Sequence, residues 1–111
     1  MATAKDTVAH ILETAAAAGG VRARAMFGEY ALYCDDKVVA LICDDTLFLK
    51  DTPGARALMS DAETAPPCPG AKPHLVADAL LDDPERLVAA IRAAWADLPV
   101  PKPRKPRKTG R

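Results

Sequence analysis

Two Cys-Asp-Asp triplets constrain the fold of this chain more than any other feature. They occupy residues 34–36 and 43–45 and bracket the almost wholly apolar segment KVVALIC. Asp tolerates turn conformations and bonds to its own backbone, so each Asp-Asp pair predicts a tight turn between antiparallel strands. The pattern predicts a three-stranded meander over residues 25–34, 37–43 and 46–50. Its middle strand, being so apolar, is expected at the centre of a sheet with both of its faces covered.

A glycine interrupts the first predicted strand. Gly28 follows Met26 and Phe27, near the start of a segment of about ten residues. A glycine at such a place indicates a bend or bulge in the strand. Glu29 is then the exposed residue of that bend.

The segment before the meander has the apolar periodicity of a helix. Its apolar side chains recur at the i, i+3, i+4, i+7 spacing of one helix face: Val8, Ile11, Leu12 and Ala15. Gly19 and Gly20 then end the pattern.

Two further helices are predicted after the meander. Thr52 can cap a short helix that has Pro53 at its first position. The side chains expected to face inward are Ala55, Leu58 and Met59. The final helix begins after Asp83 and carries an apolar stripe made of Leu87, Val88, Ile91, Ala94, Trp95 and Leu98. Between these helices a proline-rich segment allows only two short strands, one of them near residues 74–77.

Length and charge indicate one domain followed by a basic tail. A chain of 111 residues, half of them hydrophobic, can bury one core, which we expect over residues 1–98. Residues 99–111 should be disordered because proline recurs there. Six of the fifteen basic residues lie in this tail, whereas all fifteen acidic residues precede it. No apolar run suits a membrane span or signal peptide, and three cysteines, an odd number without close spacing, suit a reducing compartment, so we expect a cytoplasmic protein.

The basic tail is the strongest single functional signal. Its cations are Lys102, Arg104, Lys105, Arg107, Lys108 and Arg111. Cations interleaved with proline can follow a chain of phosphates, so we predict salt-sensitive, sequence-independent binding of DNA or RNA. A tail that only improves solubility is the other open interpretation.

Metal and catalytic interpretations find little support. The two Asp-Asp pairs should lie at opposite ends of the middle strand, roughly 20 Å apart, and cannot share a metal ion. The same distance keeps Cys34 from forming a disulfide with Cys43. A small enzyme using Cys68 or Glu29 stays as the least favoured alternative, since neither lies in a recognisable catalytic motif. We expect no cofactor, no bound metal and no catalytic residue.

The segment RARAMFGEYALYCDDKVVALICDDTLFLKDTPGARALM resembles the N-terminal domain of the TfoX/Sxy family. The matching residues are Arg24, Met26, Phe27, Gly28, Tyr30, Leu32 and Tyr33 in the opening, Leu41 and Ile42 in the middle, and Leu47, Leu49, Lys50 and Arg56 in the close. The resemblance extends over roughly residues 8–97. It departs at Glu29 and Ala31, and at Asp36 and Asp45, where the family pattern has glycine. Loss of the turn glycines suggests less strained turns.

The resemblance implies an α+β fold in the order helix, three-stranded antiparallel meander, helix, two short strands, helix. It also implies a non-enzymatic regulatory domain with a transcription-related protein as partner, because the family is linked to natural competence and transcriptional control. A protein-interaction module without a nucleic-acid role is the alternative. A proline-broken sheet edge and many apolar residues favour a homodimer.

Overall fold

Three helices and six strands form the part of the chain that the structure describes. The computed structural model describes residues 4–26, 29–67 and 70–99. In chain order the elements are α1 (Lys5–Ala15), β1 (Val21–Met26), β2 (Glu29–Cys34), β3 (Lys37–Cys43), β4 (Thr46–Leu49), α2 (Pro53–Leu58), β5 (Thr64–Ala65), β6 (His74–Val76) and α3 (Pro84–Asp97). Short 3-10 helices over Ala16–Ala18 and Asp78–Asp82 follow α1 and β6. The α+β class expected from the sequence is confirmed.

The strands form one antiparallel sheet in the order β1-β2-β3-β4-β6-β5. The prediction of a single strand over residues 25–34 is wrong, because this stretch belongs to two strands that pair with each other. Met26 at the end of β1 lies opposite Glu29 at the start of β2, so the meander has four strands instead of three. Alternating side chains have the same period in one long strand and in two shorter paired ones, which is why periodicity did not separate them. The bend expected at Gly28 lies outside the described residues.

Both Asp-Asp turns predicted from the sequence are present. The strand pairing on either side makes each a two-residue hairpin turn. Asp44 and Asp45 have φ angles of 50° and 58°, and Asp35 has a φ of 53°. In this left-handed region an L-residue with a Cβ atom is strained and glycine is not. The turns are therefore more strained than glycine turns would be, contrary to the expectation.

One face of the sheet packs against the helices to form the hydrophobic core. Fully buried side chains come from the sheet (Leu32, Ile42, Leu47, Leu49 and Leu75) and from the helices (Ile11, Leu87 and Ile91). α3 lies against β3 and contacts both α1 and α2. Burial of one such side chain stabilises the fold by about 1.5–3 kcal/mol, so the apolar stripes decide which sheet face the helices cover. β3 pairs with β2 and β4 and is an interior strand, as predicted. The expectation that both of its faces are covered is wrong for the described residues, because Val38 and Leu41 are partly exposed and lie outside the core cluster.

α2 begins at the predicted cap, but one of its three side chains predicted to face inward is exposed. The Ala55 N–H donates a 3.2 Å hydrogen bond to Thr52 Oγ1, and Pro53 opens the helix. Ala55 and Met59 are buried, whereas Leu58 is 39% exposed, so the prediction for Leu58 is wrong. A helix this short buries one i, i+4 pair, and Leu58 lies outside that pair.

The remaining elements match their predictions in type and place. Asp83 caps α3 by accepting a 3.3 Å hydrogen bond from the Arg86 N–H. In the predicted stripe of this helix, Val88, Trp95 and Leu98 are partly buried around the core. β5 and β6 are the two short strands expected in the proline-rich segment, and they pair with each other. Within the described residues, every helix is too short or too polar to cross a membrane.

Candidate functional site

Several acidic side chains bind backbone N–H groups that are distant in sequence. Asp78 accepts a 2.8 Å hydrogen bond from the Leu47 N–H, and Asp97 a 2.6 Å bond from the Gly54 N–H. Asp45 in the β3–β4 turn binds the first turn of α1 in the same way. These carboxylates satisfy backbone donors at the starts of strands and helices. Their role in the described structure is to join elements.

Glu29, one of the two alternative catalytic residues, holds a turn. Its Oε2 atom accepts a 3.1 Å hydrogen bond from the Asp44 N–H, which joins the start of β2 to the turn after β3. The other alternative residue, Cys68, lies outside the described residues.

Burial makes Cys34 a poor nucleophile. The side chain is 1% exposed, and Sγ donates a weak 3.6 Å hydrogen bond to Ala18 O. Burial, and then the charge of Asp35, raise the pKa of the Cys34 thiol, while Arg92 opposes the shift. Because the thiolate is the reactive form, this environment disfavours catalysis. Cys43, at the end of β3, is also buried.

The two Asp-Asp turns lie at opposite ends of β3, as the sequence predicted. Across residues 4–26, 29–67 and 70–99, no group of three or more His, Cys, Asp or Glu side chains is placed to hold a metal ion.

A contact that sequence reasoning missed joins β3 to the end of α3. The Lys37 ammonium group donates 2.8 Å hydrogen bonds to both Trp95 O and Leu98 O, and Lys37 is only 8% exposed. Cations stabilise the carbonyl-rich end of a helix. The only sequence signal was a lysine at the start of an otherwise apolar strand.

One shallow cavity of about 330 Å³ lies beside the start of α3. Its lining includes Met59, Asp61, Ala62, Val76, Leu80 and Arg86. Arg86 donates a 2.7 Å hydrogen bond to Leu58 O and pairs with the Asp61 carboxylate at 3.3 Å. The described residues that line the cavity include none of the site residues predicted from the sequence, and Arg86 already has two partners.

The sheet face that points away from the core is the candidate interaction surface, here called the second face. Alternation along the strands places on it four partly exposed side chains, those of Tyr33, Val38, Leu41 and Val76. Ala31, Cys43 and Phe48 lie on the same face and are buried, but none of the seven belongs to the core cluster. On β1 the exposed Arg22 and Arg24 extend the same face. The Arg22 guanidinium lies 4.4 Å from the centroid of the Tyr33 ring.

The TfoX N-terminal domain family matches residues 13–98 of this chain. The chain belongs to this family. It is also similar to a Spirochaeta aurantia protein described as an "uncharacterized 12.7 kDa protein in trpE 5′ region". The two are 42% identical over 105 residues, which cover 95% of this chain and 91% of the relative.

The residues that carry the TfoX resemblance divide between the two sheet faces. Leu32 is fully buried, and Tyr30 packs against the core. Arg24 and Tyr33 instead lie on the second face. The same short TfoX-like segment therefore supplies both core packing and an outward surface.

Five further TfoX motif residues lie near the ends of elements or outside the described part. Arg56 in α2 binds the Asp51 carboxylate through two of its nitrogen atoms, and this hydrogen bonding and charge raise the pKa of Arg56. Lys50 follows β4 and is half-buried. Met26 ends β1, while Phe27 and Gly28 lie outside the described residues.

The tail residues proposed to contact nucleic acid also lie outside the described residues. The description ends at Pro99, which lines a groove with Val38, Lys50 and Leu98. The chain therefore leaves α3 beside the second face, next to Lys50. The prediction for Lys102, Arg104, Lys105, Arg107, Lys108 and Arg111 stays a prediction.

Proposed function

We propose that this chain is a non-enzymatic, cytoplasmic regulatory domain that acts by binding. Its proposed partner is a transcription-related protein, and its basic tail contacts DNA or RNA without sequence preference. Membership of the TfoX N-terminal domain family supports the regulatory part of the proposal. The resemblance implies natural competence and transcriptional control. Both processes involve nucleic acid that a basic tail could bind.

The observation that carries the proposal is where the polar side chains lie and what they contact. Among the described residues, Glu29 holds a backbone N–H and the Cys34 thiol is buried with a raised pKa. In contrast, Arg22, Arg24 and Tyr33 lie on a sheet face outside the core. Exposed arginine and a half-exposed aromatic ring are typical of interfaces, since both side chains are enriched there.

The tail contributes positive charge. It carries six cations and no acidic residue, and prolines are interleaved with the cations. Neutralising phosphates with such cations releases counterions, which makes the binding sensitive to salt. The rest of the chain, with nine basic and fifteen acidic residues, would repel nucleic acid by itself.

The tail is best tested by substitution. Truncation after Leu98 would disturb the carbonyl that accepts a bond from Lys37. The test variant therefore changes all six tail cations to glutamine, and the matched control changes Pro101, Pro103 and Pro106 to alanine with every charge kept. Fluorescence anisotropy with a labelled DNA duplex and a labelled RNA at low salt should show binding by the full chain and the proline variant, but not by the glutamine variant.

Equal binding by the glutamine variant and the full chain would contradict the nucleic-acid part of the proposal. The protein-interaction module without a nucleic-acid role would then be the better description. The enzyme alternative has its own readout: a thiol titration in which one cysteine reacts unusually fast at neutral pH would favour Cys68 as a nucleophile.

The homodimer expected from the sequence belongs to the same proposal. Light scattering over a range of protein concentrations measures it directly. A monomer at the highest concentration would contradict it.

A further inference from the structure

β1 is an edge strand that pairs, among the described residues, only with β2. The Asp35 N–H donates a 2.9 Å hydrogen bond to Gly20 O. This bond shows which residues of β1 turn their backbone groups toward β2: Gly20 and every second residue after it. In an antiparallel pair, every second residue turns its backbone groups toward the partner. Ala23 and Ala25 therefore direct their N–H and C=O groups outward. These groups are the donors and acceptors that one more strand would need.

Two arginines flank this outward row. Arg22 and Arg24 are exposed on the second face, and neither forms an ion pair with a described residue. Arg22 is held over the Tyr33 ring, which fixes its guanidinium beside the strand. Glu29 is the acidic side chain of the neighbouring strand β2. Its carboxylate accepts a hydrogen bond from the N–H of Asp44, which follows β3 on the side of β2 away from β1. The edge therefore presents positive charge although the domain as a whole is acidic.

The charges argue against two occupants from this chain. Antiparallel pairing of β1 with a second copy about Ala23 would place Arg22 opposite Arg24, and like charges directly opposite each other are destabilising. The basic tail would repel both arginines, and its prolines lack the N–H groups that a ladder needs. Like charges on an edge strand oppose its pairing with a second copy, but they leave the strand available to an oppositely charged partner.

We propose that β1 takes up an extended acidic segment of a partner protein as an added strand. The partner's backbone would pair with the outward groups of Ala23 and Ala25. Carboxylates two residues apart, about 6.6 Å along a strand, would lie on one face opposite Arg22 and Arg24. This mode of recognition takes affinity from main-chain hydrogen bonds and specificity from alternate side chains. A nucleic acid could meet the arginines but could not complete the main-chain ladder.

The inference rests on the proposed function only in taking the domain to act by binding. The tail has no part in it. The variant with six glutamines in the tail should bind an acidic strand as the full chain does, so loss of nucleic-acid binding alone would leave the inference standing.

The test uses the full chain and two labelled octapeptides. Glutamate alternates with valine in one peptide, and lysine replaces glutamate in the other. The variant Arg22→Gln with Arg24→Gln removes the charges, and Lys5→Gln with Lys72→Gln is the control matched in charge at exposed positions. We expect the glutamate peptide to bind, the lysine peptide not to bind, and the arginine variant to lose at least about tenfold in affinity while the control keeps it.

Amide hydrogen exchange tests the strand itself. On binding of the glutamate peptide, the Ala23 and Ala25 amides should become protected in the unmodified chain. Ala25→Pro, which removes an outward N–H donor, should weaken binding of the glutamate peptide. If this variant does not fold, the exchange measurement on the unmodified chain tests the added strand by itself.

Equal binding of both peptides, or unchanged exchange at both amides, would overturn the inference. Tighter binding of an oligothymidylate than of the peptide, lost with the two arginines, would overturn it in favour of nucleic acid.

Discussion

The Lys37 ammonium group lies 4.1 Å from the centroid of the Trp95 ring while it donates to the carbonyl oxygen of the same residue. One side chain from the first position of β3 thus contacts both the ring and the backbone at the end of α3. A cation over an indole ring is attracted by the negative charge of the ring face. This contact joins the first residue of β3 to the end of α3.

Lys37→Met should destabilise the domain. The change leaves two partly buried carbonyls at Trp95 and Leu98 without their donor, so we expect the free energy of unfolding to fall by about 2 kcal/mol. Urea unfolding followed through the single tryptophan measures it. Lys50→Met, at a half-buried lysine of the same groove, is the matched control and should change stability by less than about 0.5 kcal/mol. Equal effects of the two substitutions would show that the helix-end contact is unimportant.

Asp44→Gly should stabilise the domain. Asp44 is exposed and has a φ of 50°, where glycine avoids the steric cost of a Cβ atom. We expect a gain of about 0.5–1 kcal/mol in the free energy of unfolding, partly offset by the greater freedom of glycine in the unfolded chain. A calorimetric melting temperature equal to or below that of the unmodified chain would refute the strain argument.

Asp45→Gly should give the opposite result although the backbone is strained there too, at a φ of 58°. Asp45 Oδ1 accepts hydrogen bonds from the Ala4 N–H at 2.8 Å and from the Thr7 hydroxyl at 3.0 Å. Loss of these two hydrogen bonds to the start of α1 costs about 1–3 kcal/mol, which outweighs the relief of strain. Asp45→Asn keeps an acceptor oxygen and should stay close to the unmodified chain in the same calorimetric measurement.

Stability should fall at alkaline pH in a way that depends on Cys34. Because burial and Asp35 raise the pKa of this thiol, the folded state holds its proton more tightly than the unfolded state. The protonated thiol contributes fully to the free energy of unfolding below the pKa that it has in the unfolded chain. This contribution is lost as the pH rises through the pKa of the thiol in the folded state. Urea midpoints from about pH 8 to about pH 10 should fall more steeply for the unmodified chain than for Cys34→Ala. Parallel curves would contradict this assignment.

Patterns local in the chain predicted most of the fold. Thr52 and Asp83 cap helices where the sequence placed them, and the two Asp-Asp pairs form the turns expected of them. The failure at residues 25–34 has a physical origin: one strand with a bend and two strands in a hairpin share the same alternation. Only pairing between residues distant in space separates them.

The contacts that join elements could not be predicted from the sequence. Lys37 and Trp95 are 58 residues apart, and no local spacing relates them. The same holds for Asp45, whose cap on α1 depends on a hairpin folding back over the helix start. The candidate surface depends on pairing too, since Arg22 and Tyr33 meet only because β1 and β2 are neighbours.

The salt dependence of nucleic-acid binding tests the central claim most directly. The observed association constant of the full chain for a DNA duplex should be measured at several salt concentrations and plotted on logarithmic axes. If all six tail cations contact phosphates, the slope should be about −5, and it should approach zero when those cations are glutamine. A slope near zero for the full chain, or the same slope for both chains, would contradict the account.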